Sequence, residues 1–98
     1  MARAVLLLRS KLVYPDGAVR EIVIWQLSRP TPDRPHGVKY RCHYSSADGR
    51  VLVRYDNETG KGDHVHRGTL ERPYRFESVD RLLDDFATDV ESSRKEKQ

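Results

Sequence analysis

The chain has a single cysteine, Cys42, among its 98 residues. That excludes an internal disulfide and any zinc site built from several cysteines, and it fits a reducing cytosol. Long apolar runs are also missing. The run at residues 5–8 is followed at once by Arg9 and Lys11, far short of the ~20 apolar residues that a membrane span needs and of the apolar core of a signal segment. Neither export nor membrane insertion is expected, and the chain reads as cytoplasmic. No internal repeat is visible, no serine sits in a nucleophile-elbow motif, and the one Gly-Lys-Gly lacks the spacing and following helix of a P-loop.

What is present suits one modest core. Apolar residues make up 37% and charged residues 34%, enough for a single domain of this length but not for two. That domain is expected over residues 1–93, followed by a charged tail at 94–98. The formal charge is +3, and most of the 18 basic residues are Arg, whose planar fork suits phosphate and base stacking.

Two Asp-Gly pairs, Asp16-Gly17 and Asp48-Gly49, each lie between runs rich in β-branched and aromatic residues, a strong hairpin signal. They predict that residues 3–14 pair with 18–27, and 38–45 with 50–56. A two-residue loop at Asp16-Gly17 would set Leu12, Leu8 and Leu6 opposite Glu21, Trp25 and Leu27. Tyr14, Val19 and Val23 would share that face, the expected core. Its reverse carries Leu7, Ile22 and Ile24 and would need partial cover. Residues 28–37 hold three prolines and a glycine and read as a crossing loop.

Beyond Pro73 the period changes. Val79, Leu82, Leu83, Phe86 and Val90 recur at helical spacing, predicting an amphipathic helix over residues 79–93 with Ser78 as its N-cap. The expected fold is α+β: an antiparallel sheet of four to five strands, the fifth near residues 64–69, with the C-terminal helix packed on the side of Tyr14, Trp25 and Leu8.

In the second hairpin, Val38, Tyr40, Cys42 and Tyr44 alternate with Lys39, Arg41 and His43. The same register places His43 opposite Arg54 and Arg41 opposite Asp56, leaving Cys42 toward the core. One face is therefore basic: Lys39, Arg41, His43, Arg50 and Arg54 stand against the single acid Asp56. Such a face is either the ordinary solvated side of a sheet or a platform for nucleic-acid phosphates.

The stretch YDNETGKGDHVH, residues 55–66, concentrates titratable groups. Extended backbone puts His64 and His66 on one face, where they can supply an acid and a base near neutral pH. Asp56 and Glu58 could orient the imidazoles, and Lys61 with the neighbouring glycine amides could receive a phosphate. A metal lacks a third ligand at any recognised spacing, so no cofactor is expected. The acids of the helix, Asp80, Asp84 and Asp85, read as solubilising.

Taken in order, LVYPDGAVREIVIWQL, HGVKYRCHYSSADGRVLVRYDNETGKGDHVH and YRFESVDRLLDDFATDV resemble the TumE-type toxins of toxin–antitoxin systems over nearly the whole chain. The resemblance implies a toxin with a cognate antitoxin protein as partner. From the residues themselves, the expected activity is a small metal-independent ribonuclease, with RNA as ligand and a homodimer as a further assembly. The alternative is a non-catalytic module that blocks a nucleic acid or protein by occupying it.

Overall fold

The structure is a computed structural model that describes residues 3–58 and 60–96. Six antiparallel strands form one meander in chain order: β1 Ala4–Val13, β2 Val19–Leu27, β3 Val38–Ser45, β4 Val51–Asp56, β5 His64–Arg67 and β6 Leu70–Pro73. A single helix, α1 Val79–Glu96, follows. The α+β class and the C-terminal helix are as expected, but the sheet has six strands rather than four to five. The segment near residue 64 turns at Gly68, which adopts positive φ (59°), and returns as β6. Helix α1 runs three residues past Ser93; Lys97 and Gln98, the end of the expected tail, lie outside the described residues, as do Met1, Ala2 and Thr59.

The helix begins where its cap dictates. Ser78 Oγ accepts the Arg81 amide at 3.0 Å and the Ser78 carbonyl accepts the Leu82 amide at 3.0 Å, satisfying orphan donors of the first turn. Leu82, Phe86 and Val90, four apart, then face the sheet and are buried against Ile22, Ile24, Tyr40, Cys42, Tyr44, Val53, Tyr55 and Val65. Hydroxyl–carboxylate bonds add direction to this docking: Tyr74 donates to Asp85 at 2.6 Å, and Tyr55 donates to Asp89. Asp85 is thus a docking group, not merely a solubilising one. At the far end the Arg94 guanidinium lies 3.7 Å from the Tyr14 ring centroid and donates to the Tyr44 hydroxyl at 2.9 Å.

The first hairpin departs from its expected register. Tyr14 N–H donates to the Ala18 carbonyl at 2.8 Å, and Gly17 N–H to the Tyr14 carbonyl at 2.9 Å, so the loop is Pro15-Asp16-Gly17, three residues long. The cause is local. A two-residue Asp-Gly loop of the favoured kind needs positive φ at Asp16, and no described non-glycine residue has it. Pro15 instead fixes the backbone for the first central position of an ordinary turn, and Gly17 takes the left-handed position (φ 89°).

One residue of slip exchanges the two faces of β2. Ile22 (8% exposed) and Ile24 (0%) point to the helix, and what covers the face assigned as the reverse is α1 itself. Val23 and Trp25 lie on the opposite, helix-free face, so the expectation that the helix packs on Tyr14 and Leu8 holds while Trp25 is excluded from it. Leu8 pairs with Ile24 beside the core, and a bulge before it sets Leu6 opposite Trp25.

In the second hairpin the expected pairs Arg41–Asp56, Cys42–Tyr55, His43–Arg54 and Tyr44–Val53 are all present. The loop there also has three residues, since Ser46 and Arg50 close it. A bulge between Tyr44 and Ser45 on the pairing restores the register. Cys42 is fully buried in the core.

Candidate functional site

Directly paired residues of neighbouring strands share a face, so the registers define rows across the sheet. One row on the helix-free face runs Glu21, His43, Arg54, His66, Glu71, from β2 to β6. The row beside it runs Val23, Arg41, Asp56, His64, Pro73. Residues far apart in the chain thus converge on one open surface, with neighbouring strands about 4.8 Å apart.

The centre of the first row is Arg54. Its Nη2 donates to His66 Nε2 at 2.9 Å, which leaves His66 as a neutral ring bearing its proton on Nδ1. Burial lowers the His66 pKa below its ordinary value, and the neighbouring Arg54 charge lowers it further, outweighing the opposite pull of Glu71. Each imidazole of the row has a carboxylate beside its Nε2: Glu21 lies 3.5 Å from His43 Nε2, and Glu71 lies 3.6 Å from His66 Nε2. The order is carboxylate, imidazole, guanidinium, imidazole, carboxylate.

In the second row Asp56 and His64 are both buried, with side chains 4% and 7% exposed. His64 Nδ1 donates to the Gly62 carbonyl at 3.0 Å, while Nε2 approaches Asp56 Oδ1 to 2.5 Å. That approach lacks hydrogen-bond alignment, for Asp56 Oδ1 and Arg54 Nε are buried with no hydrogen-bond partner among the described residues. Arg54 Nε is nonetheless 3.3 Å from Asp56 Oδ2, so Asp56 stands between a guanidinium and an imidazole. Both nitrogens of His64 face oxygen, whereas His66 presents a more open ring; the two ring centroids are 5.1 Å apart.

The other expected residues are distributed around this cluster. Lys39 and Arg41 are exposed on the same face and form no ion pair among the described residues. Arg50 closes the β3–β4 turn, at the hairpin tip. Glu58 and Lys61 are exposed on the β4–β5 connection, where the Lys61 amide donates to the Glu58 carbonyl at 3.1 Å; Glu58 makes no ion pair with either imidazole among the described residues. The Gly60 amide donates to Asp33 at 3.1 Å, so part of the expected anion cradle already has a carboxylate on it.

Asp63 serves the fold. It receives His36 Nε2 (2.9 Å), the Tyr40 hydroxyl (2.8 Å) and Asn57 Nδ2 (3.0 Å). Asn57 in turn bonds both the Tyr40 amide and the Val38 carbonyl, tying the start of the loop to the start of β3. His36 stacks on Phe76 with centroids 4.1 Å apart. These contacts hold the loop that delivers His64 and His66.

His64, His66 and Glu71 can each bring one ligand atom within 4.8 Å of the others, a donor set suited to a divalent ion. The Arg54 bond to His66 Nε2 sets a fixed positive charge against that use. Thiol chemistry is disfavoured, because burial pushes Cys42 up to about 12. A hollow of about 600 Å³, between β5–β6 and the end of α1, brings no imidazole to its wall and belongs to the other face.

His43 was legible as a basic-face residue but not as the mirror of His66, because that relation needs the β4–β5 register. Glu21 and Glu71 carried no sequence signal, and Trp25 was misassigned with the β2 face.

An open antiparallel sheet with a basic, imidazole-bearing face and one helix on its reverse is the class of small protein that the fold defines. A family model described as toxin TumE matches residues 3–94, and the chain belongs to that family. It is thereby a toxin of a toxin–antitoxin system, with a cognate antitoxin as partner. Comparison with curated proteins and with solved structures gives no match. None of the described helices is long and apolar enough to cross a membrane.

Proposed function

We propose that this toxin acts on RNA as a metal-independent ribonuclease that works on the helix-free face of its sheet. The observation that carries the reading is the row Glu21, His43, Arg54, His66, Glu71, in which a guanidinium is flanked on either side by an imidazole with an acid next to it. Cleavage of RNA by its own 2′-hydroxyl needs a base on one side of the phosphate, an acid on the other and a cation between. His66, already neutral and an acceptor at Nε2, takes the 2′-hydroxyl proton once phosphate draws Arg54 onto itself. The 2′-oxygen forms its bond to phosphorus and the 5′-oxygen leaves with a proton from His43. The products are a 2′,3′-cyclic phosphate and a free 5′-hydroxyl.

In this assignment His64 and Asp56 position β5 and Arg54 from beneath, and Lys61 meets phosphate at the rim. The sequence pairing of His64 with His66 as acid and base is thus revised in favour of His43 with His66. The reason is that His64 is buried, its side chain 7% exposed, whereas those of His43 and His66 are 21% and 20% exposed on the open face. Lys39 and Arg41 hold the flanking phosphates.

The test is incubation of purified toxin with RNA in a chelator, with analysis of the ends produced. Cyclic phosphate ends, lost in His43→Ala and in His66→Ala and on a 2′-deoxy substrate, are expected. Cleavage that stops with the chelator alone would return the reaction to the His64, His66 and Glu71 donor set. Undiminished toxicity of the His43→Ala, His66→Ala double variant would support inhibition by occupancy.

A further inference from the structure

Trp25 is the one tryptophan of the chain, and it is half-buried on the helix-free face between Leu6 of β1 and Lys39 of β3. An indole placed there is not core. With Val23, Lys39, Tyr40, Arg41 and Glu58 it lines a hollow of about 560 Å³, in the usual range of roughly 300–1,000 Å³ for ligand sites.

The wall chemistry of this hollow is divided. Lys39 and Arg41 are exposed cations without an ion-pair partner among the described residues, and Glu58 is an exposed carboxylate in the same condition. Asp56, 3% exposed, also forms part of the wall, but its carboxylate is turned to Arg54 and His64. An aromatic surface, two exposed cations and the exposed Glu58 carboxylate facing one space match the parts of a nucleotide: a base to stack, phosphates to hold and base N–H groups to receive.

We infer that the Trp25 hollow binds one unpaired nucleobase of single-stranded RNA, stacked on the indole, and that it selects guanine. The inference rests on the RNA-directed reading above and names its substrate class. Unpaired bases are recognised by stacking on aromatic side chains and by bonds to their Watson–Crick edge. Guanine presents N1–H and the N2 amino group side by side, a pair of donors that one carboxylate accepts together. Uracil presents a single N–H flanked by two carbonyl oxygens, which Glu58 repels. The hollow shares Asp56 and Arg41 with the second row of the site, so a base held there delivers its strand to the phosphate position over Arg54.

Because Trp25 has no other tryptophan to mask it, its fluorescence reports occupancy directly. Wild-type toxin is titrated with 2′-O-methyl oligouridine octamers, which cannot be cleaved, with or without one central guanosine. Anisotropy of a labelled strand measures affinity in parallel. Expected results are quenching on binding, tighter binding of the guanosine strand, and a weakening of roughly 5- to 100-fold in Trp25→Ala. Glu58→Gln should remove the guanosine advantage and leave oligouridine binding in place. Binding without quenching, equal affinity for the two strands, equal quenching by a duplex, or undiminished binding by Trp25→Ala would each overturn the inference. Should Trp25→Ala fail to fold, the wild-type titration and the Glu58→Gln comparison still decide it. If His66-dependent cleavage survives while Trp25 proves irrelevant, the hollow alone falls. Absence of any RNA binding by the wild type removes both readings.

Discussion

Arg54 Nη2 donates to His66 Nε2 across 2.9 Å, joining neighbouring strands on the open face. The bond fixes the tautomer of the imidazole and holds a permanent charge against it. Two properties of this face can be measured.

The first concerns pH. Burial and then Arg54 lower the His66 pKa below 6.5, so the folded protein takes up this proton less readily than the unfolded chain. The resulting contribution to stability is full above pH 6.5 and is lost as pH falls through the lower folded value. NMR titration of the His66 ring should give a midpoint below 6.5, moving upward in Arg54→Gln. RNA cleavage should decline on the acid side with that same midpoint. A His66 midpoint unmoved by Arg54→Gln would show that the bond does not persist in solution.

The second concerns phosphate. If Lys39 and Arg41 meet the strand, replacing both with Gln weakens RNA binding and flattens its dependence on salt. Each lost contact removes about 0.7 from the logarithmic slope on a single strand. A slope unchanged in the double variant would reduce these residues to an ordinary solvated sheet face.

Stability of the fold hangs on the helix ridge. Phe86 is 1% exposed among core side chains of the sheet, so Phe86→Ala should cost about 3–5 kcal/mol by denaturant melting. A loss in the range of surface substitutions, under about 0.5 kcal/mol, would mean that the helix does not dock as described.

Asp63 provides a separate handle on the loop. Its carboxylate collects His36, Tyr40 and Asn57, and Asp63→Asn leaves part of that knot unpaired at about 1–3 kcal/mol. Hydrogen exchange should quicken first at residues 57–63, ahead of β2 and β3. Uniform protection would deny Asp63 this local role.

The degree to which the site was legible follows from where each register is set. His43 opposite Arg54 could be read from β3 and β4, because clean alternation in both strands tolerates no slip without burying an arginine among tyrosines. The bulge near Ser45 offsets the longer turn, so the reading survived an incorrect loop length. In the first hairpin nothing offset it. Pro15 lengthened the turn by one residue, and since Ile22, Val23, Ile24 and Trp25 are all apolar, the pattern could not say which pair faced inward.

The sequence by itself determined the α+β class, the two Asp-Gly turns, the Leu82, Phe86 and Val90 face of the helix, the basic side of β3 and the burial of Cys42. These rest on interactions between near neighbours: alternation, capping and turn chemistry. Only the tertiary structure decided that α1 covers Ile22 and Ile24 and leaves Trp25 outside. It alone aligned Glu21, His43, Arg54, His66 and Glu71 into one row. That row spans five strands, and its registers depend on bulges and loop closures whose energies differ by the fit of the whole sheet on the helix, a quantity that no short segment carries.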